Sequence, residues 1–331
     1  MDFRDRIVKN HQKLRVCYFG TYRKTYSRNQ IMIEGLRRNG VEVIECHETL
    51  WHGIEDRIQI TSGGWKNPKF WLRVIRSYLR LLGKYTRVGD YDVIVVGYPG
   101  QFDVFLGNVL SRFSGKPLVW DIFMSIYLIA LERNLYTKSQ LTVSLLRWIE
   151  SIALRIPDLL IQDTSRYVEW FCENYGINKR HFNLVPTGAD DRVFFPQSLM
   201  NNSANKFKIL YYGTYIPNHG VSNIISAANL LRENQDIQID MIGMGPDRNG
   251  AEILAKEYQL GNIHFSAWLD QQDLAKKIQE ADICLGAFGD TPQSRMTIQN
   301  KIFECLAMKK PVITGDSKAV RDALTHRVDI Y

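Results

Sequence analysis

Short apolar runs alternate with longer amphipathic stretches along the whole chain, and this alternation predicts the fold. We expect strands at residues 14–20, 41–47, 92–98, 117–123 and 159–164, with helices near 28–39, 70–86, 102–113, 139–154 and 165–175. The pattern then restarts, with strands at 208–215, 237–243, 263–268, 283–289 and 311–316 and helices near 220–233, 248–258, 271–280, 300–308 and 317–325. Strands that alternate with helices form parallel sheets, and nearly all-apolar strands suit a sheet covered on both faces.

The restart of the pattern predicts an α/β protein built from two tandem Rossmann-like domains. We place the first domain at 1–196, the second at 207–331, and an Asn/Ser-rich linker at 197–206. The length of 331 residues agrees with a prior of roughly 150 residues per domain. Ligands of open α/β sheets bind beyond the carboxyl ends of the strands, so we expect a cleft between the two domains. Neither first strand continues as G-x-G-x-x-G, so the dinucleotide fingerprint is absent.

Composition and charge narrow the class of protein. The five cysteines include no C-x-x-C pair, which favours a reducing compartment over a disulfide scaffold or a structural zinc site. The N-terminus is charged without an apolar core, and no apolar run reaches the roughly 18 residues of a spanning helix. We therefore predict a cytoplasmic protein, with no metal or other cofactor. The net charge of +7 comes from an excess of basic residues in 1–200, which indicates an anionic partner for that half.

The most informative stretch, residues 286–316, has the pattern strand, loop, helix, strand. Asn300 is a suitable N-cap for the helix that follows, which places Lys301 and Glu304 in or near its first turn. A helix N-terminus with a lysine beside it can hold a diphosphate, and a carboxylate one turn further along can accept hydrogen bonds from a ribose diol. The alternative is a capped surface helix whose Lys and Glu are solvated.

From about residue 181 onward the chain resembles the group 1 (family 4) glycosyltransferases of the GT-B fold. The matching phrases, in the family's order, are NLVPTGADDRVFFP (183–196), YYGTYIPNHGVSNIISAANLL (211–231), IDMIGMGP (239–246), GNIHFSAW (261–268), ADICLGAFG (281–289) and NKIFECLAMKKPVITGD (300–316). The first domain matches more loosely, mainly through KPLVWDIFMSIY (116–127). The resemblance implies that the second domain binds a nucleotide-diphosphate sugar, that the first binds a glycan or lipid-linked acceptor, and that transfer retains the anomeric configuration.

The resemblance also implies roles for individual residues of the second domain. Glu304 matches the second Glu of the E-x7-E motif, which binds the donor ribose, and Lys301 is the candidate for stabilising the leaving diphosphate. The other predicted donor-binding residues are Asn300, Gly213, Thr214, His219, Gly220, Gly243, Gly245, Trp268 and Leu269. Gly213 opens the diphosphate loop, Gly243 and Gly245 match a G-x-G turn, and Trp268 and Leu269 lie where backbone groups contact the nucleobase.

The chain departs from the family pattern at three places. Met296 stands where the first Glu of E-x7-E is expected, and Thr214 and His219 stand where the family has its diphosphate-binding Arg and Lys. The sequence also stops at Tyr331, before the helices with which members usually end. These departures keep open a second hypothesis, a non-catalytic glycosyltransferase-like protein that binds a nucleotide and assists a partner. A sugar-nucleotide epimerase on the same fold is a third and weaker hypothesis.

In the first domain the candidate site residues lie at the ends of predicted strands. Asp121 lies where relatives place a residue that contacts the donor sugar, so we predict a catalytic role for it, with a helix cap as the alternative. Gly20, Thr21 and Arg23 follow the first strand and are predicted to line the acceptor side.

A basic amphipathic helix is predicted within residues 65–87. Five basic residues, spaced three or four apart, share one face of it: Arg73, Arg76, Arg80, Lys84 and Arg87. With Trp71, Leu72, Ile75, Leu79 and Leu82 beside them, such a helix can lie on an anionic membrane surface. The alternative is a core-packing helix with a solvated basic face. No nucleic-acid-binding motif is present, so we do not expect a nucleic-acid partner.

Overall fold

The computed structural model of the protein describes residues 13–50, 68–133, 135–196 and 206–331. The chain divides into two compact units, Met1–Pro186 and Thr187–Tyr331. Within the described residues, no helix combines the length and the apolar character that a membrane-spanning segment needs.

The first unit is a six-stranded, all-parallel sheet with helices in the connections. The strands are β1 (Arg15–Gly20), β2 (Glu42–His47), β3 (Val93–Val96), β4 (Leu118–Asp121), β5 (Leu159–Gln162) and β6 (Phe182–Leu184), in the order β2-β1-β3-β4-β5-β6. The helices are α1 (Ser27–Arg38), α2 (Pro68–Tyr85), α3 (Asp103–Ser114), α4 (Ile126–Glu132), α5 (Leu135–Lys138), α6 (Gln140–Ala153) and α7 (Ser165–Tyr175). Every residue of β3 and β4 is buried, as expected for central strands covered on both faces.

The second unit is a five-stranded, all-parallel sheet. Its strands are β7 (Phe207–Tyr212), β8 (Ile237–Ile242), β9 (Ile263–Ser266), β10 (Ile283–Leu285) and β11 (Val312–Ile313), in the order β11-β10-β7-β8-β9. Its helices are α8 (Val221–Leu230), α9 (Arg248–Glu257), α10 (Gln271–Glu280), α11 (Asn300–Ala307) and α12 (Lys318–Ala323). Two apolar clusters form the core, one built around α10, α11 and α12 and the other around α8 and α9.

The division between the units differs from the predicted domain boundary. Residues 187–196, which we expected at the end of the first domain, fall within the second unit. The physical reason is Phe194, which is buried in the apolar cluster formed by α10, α11 and α12. Of the predicted linker 197–206, all residues except Lys206 lie outside the described part of the chain.

The first sheet also has one strand more than the five predicted. β6 is only three residues long, and two of them are exposed, so it lacks the apolar run that predicts a strand. Parallel pairing with β5 along Phe182–Leu184 holds it at the edge of the sheet.

Candidate functional site

The predicted donor residues gather where the order of the second sheet reverses. β7 lies between β10 and β8, and the chain leaves β7 toward β8 on one side and returns through β10 on the other. Open α/β sheets bind ligands at such a point, which we call the switch point of the sheet, beyond the carboxyl ends of the strands. Gly213, Gly243 and Gly286 directly follow β7, β8 and β10 at this position.

Glycines allow the loops at this end of the sheet to touch backbone to backbone. A β-carbon on Gly245 would lie 1.6 Å from the carbonyl oxygen of Thr214, and one on Gly243 would lie 2.1 Å from that of Gly213. Gly243 also has a φ of +123°, a conformation that residues with side chains rarely adopt. Gly220 packs in the same way against the backbone of residues 288 and 289. Three of the predicted glycines, Gly220, Gly243 and Gly245, are therefore required by close packing around one loop, 213–220.

Three polar side-chain atoms converge on Gly213. A β-carbon at this position would lie 2.8 Å from Lys301 Nζ, 2.9 Å from His219 Nδ1 and 2.9 Å from the Tyr211 hydroxyl oxygen. The structure thus brings together Gly213, His219 and Lys301, which are three of the predicted site residues, and adds Tyr211. A side chain at Gly213 would displace this cluster.

Lys301 carries a buried amine that no carboxylate of the described residues contacts directly. Its Nζ donates one long hydrogen bond, of 3.4 Å, to the carbonyl oxygen of Gly286 and lies 4.2 Å from the centre of the Tyr211 ring. Burial lowers the pKa of Lys301 to about 7, because water cannot solvate the charged form. An anion that enters the site would restore the charged form.

His219 is buried beside Lys301, and its pKa lies well below the ordinary value for two reasons. Burial has the largest effect, and the Lys301 ammonium adds electrostatic repulsion. The Nδ1 atom lies 2.9 Å from the Tyr211 hydroxyl oxygen. When that hydroxyl donates to Nδ1, the proton of the neutral ring is on Nε2, which can then donate to a phosphate oxygen. His219 therefore offers a neutral hydrogen bond where the family has a lysine.

Glu304 lies on α11, one turn from Lys301, and it is also buried. The Tyr212 hydroxyl donates a 2.6 Å hydrogen bond to Glu304 Oε2. Burial raises the pKa of Glu304, and the Tyr212 hydrogen bond and Lys301 offset part of that rise. No local sequence pattern connects Tyr212 with Glu304, because the two residues lie 92 positions apart.

The start of α11 differs in detail from the prediction. Asn300 is the first helical residue and not the N-cap; that position belongs to Gln299, whose side chain makes no capping hydrogen bond. The first N–H groups of the helix are therefore not satisfied by a capping side chain. The Ile302 N–H donates to the carbonyl oxygen of Gln299 at 3.0 Å, and the N–H groups of Asn300 and Lys301 lie in the first turn, where such groups point out of the N-terminal end of a helix. Asn300 itself is half-buried at that end.

Arg248 is a functional candidate that sequence analysis missed. Its guanidinium donates to the carbonyl oxygens of Gly243 and Ser266, the latter at 2.6 Å, and so ties the end of β8 to the end of β9. It also pairs with Glu252 at 2.7 Å. Because Arg248 holds the turn that contains Gly243, it fixes the position of the glycine contacts with loop 213–220.

The two residues predicted near the nucleobase have different surroundings. Trp268 follows β9 and is 47% exposed, whereas Leu269 packs partly buried against the cluster around α10, α11 and α12. A half-exposed indole at the carboxyl end of a sheet provides a flat apolar surface.

In the first unit, Gly20 and Thr21 serve a buried carboxylate. Asp103 accepts hydrogen bonds from the Thr21 backbone N–H at 2.7 Å, from the Thr21 hydroxyl at 3.0 Å and from the Tyr78 hydroxyl at 2.7 Å. A β-carbon on Gly20 would lie 2.6 Å from this carboxylate. Arg23 is half-buried next to the Tyr26 ring, and its carbonyl oxygen accepts from Asn29.

Asp121 forms a buried, two-pronged ion pair with Arg28. Arg28 Nε and Nη2 each donate to one oxygen of Asp121 at 2.9 Å, and Arg28 Nη1 donates to the carbonyl oxygen of Val185 at 2.8 Å. Arg28 lies 93 residues from Asp121, so the pair left no local sequence signal. Asp163, at the end of β5, interacts electrostatically with both partners, and burial raises its pKa to about 7.

The predicted membrane helix, α2, exposes apolar residues together with basic ones. Four apolar residues on one face of the helix are between 48% and 63% exposed, although apolar residues at this spacing normally face a protein core: Trp71, Leu72, Ile75 and Leu79. Arg76 and Arg80 are exposed on the same helix, and Glu48 forms ion pairs with Lys84 at 2.6 Å and with Arg80 at 3.6 Å. Arg73 is half-buried near the Phe70 ring, and Arg87 lies beyond the end of the helix at Tyr85. The five basic residues therefore differ in exposure, ion pairing and position, and they do not form one evenly exposed helix face.

In the part of the chain that the structure describes, no three His, Cys, Asp or Glu side chains come together in a way that would hold a metal ion. The site in the second unit instead combines an amine, a neutral imidazole, a helix N-terminus and a carboxylate. These groups suit a diphosphate attached to a sugar with free hydroxyls.

Comparison with known proteins agrees with this chemistry. Residues 206–331 match the family model for glycosyl transferases group 1. The match covers most of the second unit and none of the first. Among curated proteins, the chain is 22% identical over 248 residues to MMP alpha-(1->4)-mannosyltransferase of Mycolicibacterium hassiacum, covering 70% of this chain and 54% of the relative. It is 24% identical over 151 residues to mannosylfructose-phosphate synthase of Agrobacterium fabrum, covering 40% of this chain and 33% of the relative. The chain thus spans about half or less of the length of these curated relatives.

Solved structures confirm the predicted fold. Sucrose-phosphate synthase of Thermosynechococcus elongatus superposes with a TM-score of 0.66 at 14% identity, covering 95% of this chain and 84% of that one. HepE of Anabaena in complex with UDP superposes with a TM-score of 0.62 at 12% identity, covering 97% of this chain and 85% of that one. The chain therefore has the two-domain α/β fold of the GT-B glycosyltransferases.

Proposed function

We propose that this protein is a glycosyltransferase that takes a sugar from a nucleoside-diphosphate donor bound by the second unit. The observation that carries the proposal is the convergence of Lys301, His219 and the N-terminus of α11 at the switch point of the second sheet, with Glu304 one turn away. The Anabaena HepE structures contain UDP or UDP-glucose, which supports a nucleotide sugar as the donor class. The acceptor in this proposal is a glycan or a lipid-linked sugar.

In the proposed reaction the bond between the sugar and the diphosphate breaks, and negative charge develops on the leaving diphosphate. Preorganised N–H groups and a cation stabilise such charge most effectively in a site with little water. The first N–H groups of α11 and the Lys301 ammonium would supply them, and His219 Nε2 would add a neutral donor. The acceptor hydroxyl would attack on the face that the diphosphate leaves, so that the anomeric configuration is retained.

The test is thermal unfolding in the presence of UDP, GDP, ADP and CDP and of their common nucleotide sugars. Ligand at a hundred times its dissociation constant stabilises the folded state by about 2.7 kcal/mol, which raises the unfolding midpoint by several degrees. We expect one base to give this shift in the wild type and the Glu304→Ala variant to lose it. If no nucleotide or nucleotide sugar shifts the midpoint, the proposal is wrong.

The same experiment separates the enzyme from a non-catalytic nucleotide-binding partner. Met296 is buried in place of the family's first Glu, so the donor site lacks one carboxylate of that motif. If a nucleotide sugar binds, we expect it to be consumed in the presence of a mixed glycan and lipid-linked acceptor pool. Tight binding with no consumption would favour the partner protein.

We also propose that α2 binds reversibly to an anionic membrane surface, which would suit a lipid-linked acceptor. Its exposed Trp71, Ile75 and Leu79 provide apolar contact, and Arg76 and Arg80 provide charge. Each basic residue near such a surface contributes about 1 kcal/mol. A shallow hollow of about 630 Å³ beside them is lined by Lys69, Leu72, Arg73, Arg76, Ser77, Arg80, Glu48 and Thr49.

Vesicle co-sedimentation tests this second proposal. We expect binding to vesicles that contain anionic lipid, weaker binding at high salt, and loss of binding in the Arg76→Glu, Arg80→Glu double variant. The matched control is Arg37→Glu with Arg38→Glu, which reverses two exposed charges at the end of α1. Equal binding to neutral vesicles, or equal loss in both double variants, would rule out the electrostatic contact through α2.

A further inference from the structure

The Glu304 carboxylate has two oxygens with different surroundings. Oε2 accepts the 2.6 Å hydrogen bond from the Tyr212 hydroxyl, which lies 3.7 Å from Cys305 Sγ and 3.3 Å from the carbonyl oxygen of Lys301. Among the described residues, none donates a hydrogen bond to the other oxygen, Oε1. The carboxylate is thus held by one oxygen, and the other remains available to a ligand.

Tyr212 is well placed to fix this arrangement. It is the last residue of β7, directly before Gly213, and its ring is buried in the apolar cluster built around α10, α11 and α12. Its ring therefore has little freedom, and its hydroxyl reaches across from the sheet to α11. A carboxylate held by a rigid donor loses less rotational freedom when a ligand binds.

We propose that Tyr212 is a positioning residue that orients the Glu304 carboxylate. In this orientation Glu304 Oε1 accepts a hydrogen bond from the 2′-hydroxyl of the donor ribose. This inference rests on the proposed function, because it adds a positioning residue to the donor site that the proposal places in the second unit. Tyr212 would thereby set the preference of the site for ribonucleotides over 2′-deoxyribonucleotides. It contacts no substrate atom itself and acts through Glu304.

Tyr212 also keeps Glu304 in the form that can accept. Burial favours the protonated carboxyl, whereas the Tyr212 hydrogen bond and the Lys301 charge favour the carboxylate. The other titratable group next to Glu304 is Cys305, on α11, which in turn contacts Cys284 of β10. Without the Tyr212 hydroxyl, the pKa of Glu304 would rise further, and the carboxyl would hold its proton at a higher pH. As the pH falls, such a variant would therefore lose the carboxylate, and with it recognition of the ribose hydroxyl, at a higher pH than the wild type does.

The experiment compares the affinity of a ribonucleoside diphosphate with that of its 2′-deoxy form. The probes are UDP and 2′-deoxy-UDP, or the corresponding pair for whichever of GDP, ADP or CDP gives the largest thermal shift. A hydrogen bond to a charged group contributes enough for a wild-type preference of roughly ten- to a hundred-fold for the ribose form. In the Tyr212→Phe variant we expect this ratio to fall to a few-fold at pH 6 and to recover partly at pH 8.

The neighbouring tyrosine provides a matched control. Tyr211→Phe also removes one buried hydroxyl, but that hydroxyl contacts His219 Nδ1 and not Glu304. We expect it to weaken both nucleotides by the same factor and to leave the ratio unchanged at both pH values. Unfolding midpoints without ligand, recorded for both variants, show that folded protein is compared. In a Glu304→Ala background, Tyr212→Phe should change the ratio no further.

The outcomes separate this inference from the proposed function. If the wild type prefers UDP and the Tyr212→Phe ratio stays at the wild-type value at both pH values, the inference is wrong and the donor site stands. If Tyr211→Phe lowers the ratio as much as Tyr212→Phe, the effect is structural and the positioning role is wrong. If the wild type binds no nucleoside diphosphate, both proposals fall together.

Discussion

The two sheets treat the polar groups at their switch points in opposite ways. In the first sheet, the order reverses at β1 and β3, and the carboxylate found there, Asp103, accepts three hydrogen bonds from Thr21 and Tyr78. In the second sheet, the order reverses at β7 and β10. There Lys301 donates one long hydrogen bond to the carbonyl oxygen of Gly286 and lies over the Tyr211 ring. The protein itself supplies hydrogen-bond donors to the polar group at one switch point, whereas among the described residues the group at the other has one weak partner.

This difference supports the proposal that the second unit binds the charged donor. A buried ammonium without a carboxylate partner costs stability, so its retention points to a ligand that supplies the missing negative charge. A carboxylate that three donors already hold has no comparable need. The resemblance assigns the donor to the second unit, and the hydrogen-bond pattern leads to the same assignment on independent physical grounds.

The largest effect should come from Lys301→Met. The ordinary pKa of lysine is 10.5 and that of folded Lys301 is about 7, so between these values the unfolded chain binds the extra proton. The stability of the wild type therefore rises with pH across this window, by an amount on the order of 4 to 5 kcal/mol at most. We expect the variant to unfold at a higher temperature than the wild type at pH 7, to lose that pH dependence, and to bind nucleoside diphosphates roughly ten- to a hundred-fold more weakly.

Calorimetry gives a second measurement of the same group. Diphosphate binding should restore the charge of Lys301, so the wild type should take up protons on binding near pH 8. Titrations in buffers of different ionisation enthalpy measure this uptake directly. An identical uptake in the Lys301→Met variant would mean that another group carries the proton and that the contrast between the two switch points is drawn at the wrong residue.

Asp163 is an exception within the first unit and gives the next largest effect. It is buried, and among the described residues no other side chain donates a hydrogen bond to its carboxyl oxygens. The Arg28 charge and the nearby backbone N–H groups of Asp163 and Thr164 offset only part of the effect of burial on its pKa. Its pKa is about 7 against an ordinary 3.8, so the folded state binds the extra proton between these values and stability falls as pH rises through them. We expect Asp163→Asn to raise the unfolding midpoint at pH 8, by up to roughly 4 kcal/mol of stability, and to change little at pH 4.

Glu150 is the control for Asp163. It is also a buried carboxylate, with a pKa raised to about 6, but it accepts from Ser125 at 2.6 Å, Tyr175 at 2.6 Å and the Ile126 backbone at 2.7 Å. Glu150→Gln should therefore lower the unfolding midpoint at pH 8. If both variants lower it, Asp163 is stabilised by its neighbours and does not differ from the other buried acids.

Asp103→Asn tests the satisfied switch point. The amide cannot accept all three hydrogen bonds of the carboxylate, so we expect a loss of about 1–3 kcal/mol of stability. Nucleoside diphosphate affinity should stay within twofold of the wild type, as measured by titration at a temperature where the variant is folded. A tenfold loss of affinity would show that the first switch point contributes to donor binding.

The fold and the candidate site were predictable from the sequence to different degrees. The alternation of apolar runs located the two sheets, and the ordered phrases from 181 onward led to Gly213, Lys301 and Glu304. The partners of these residues were not predictable, because Tyr212 reaches Glu304 and Arg28 reaches Asp121 across more than ninety positions. Side-chain pairing over such separations depends on the assembled sheet, which local patterns do not encode. The same reason explains why Asp121 looked available in the sequence although Arg28 engages both of its oxygens.

The smallest expected effect, that of His219→Gln, decides how the chain replaces the family's lysine. His219 has a pKa well below its ordinary value because it is buried and lies beside Lys301, so it should stay neutral at physiological pH. Glutamine can replace a neutral donor, so the variant should lose only about two- to tenfold in nucleoside diphosphate affinity, the range for one uncharged hydrogen bond. That loss should be the same at pH 6 and pH 8, since no charge on His219 is involved. A loss as large as that of Lys301→Met, confined to pH 6, would mean that His219 takes up a proton when the diphosphate binds. The second switch point would then supply two cations.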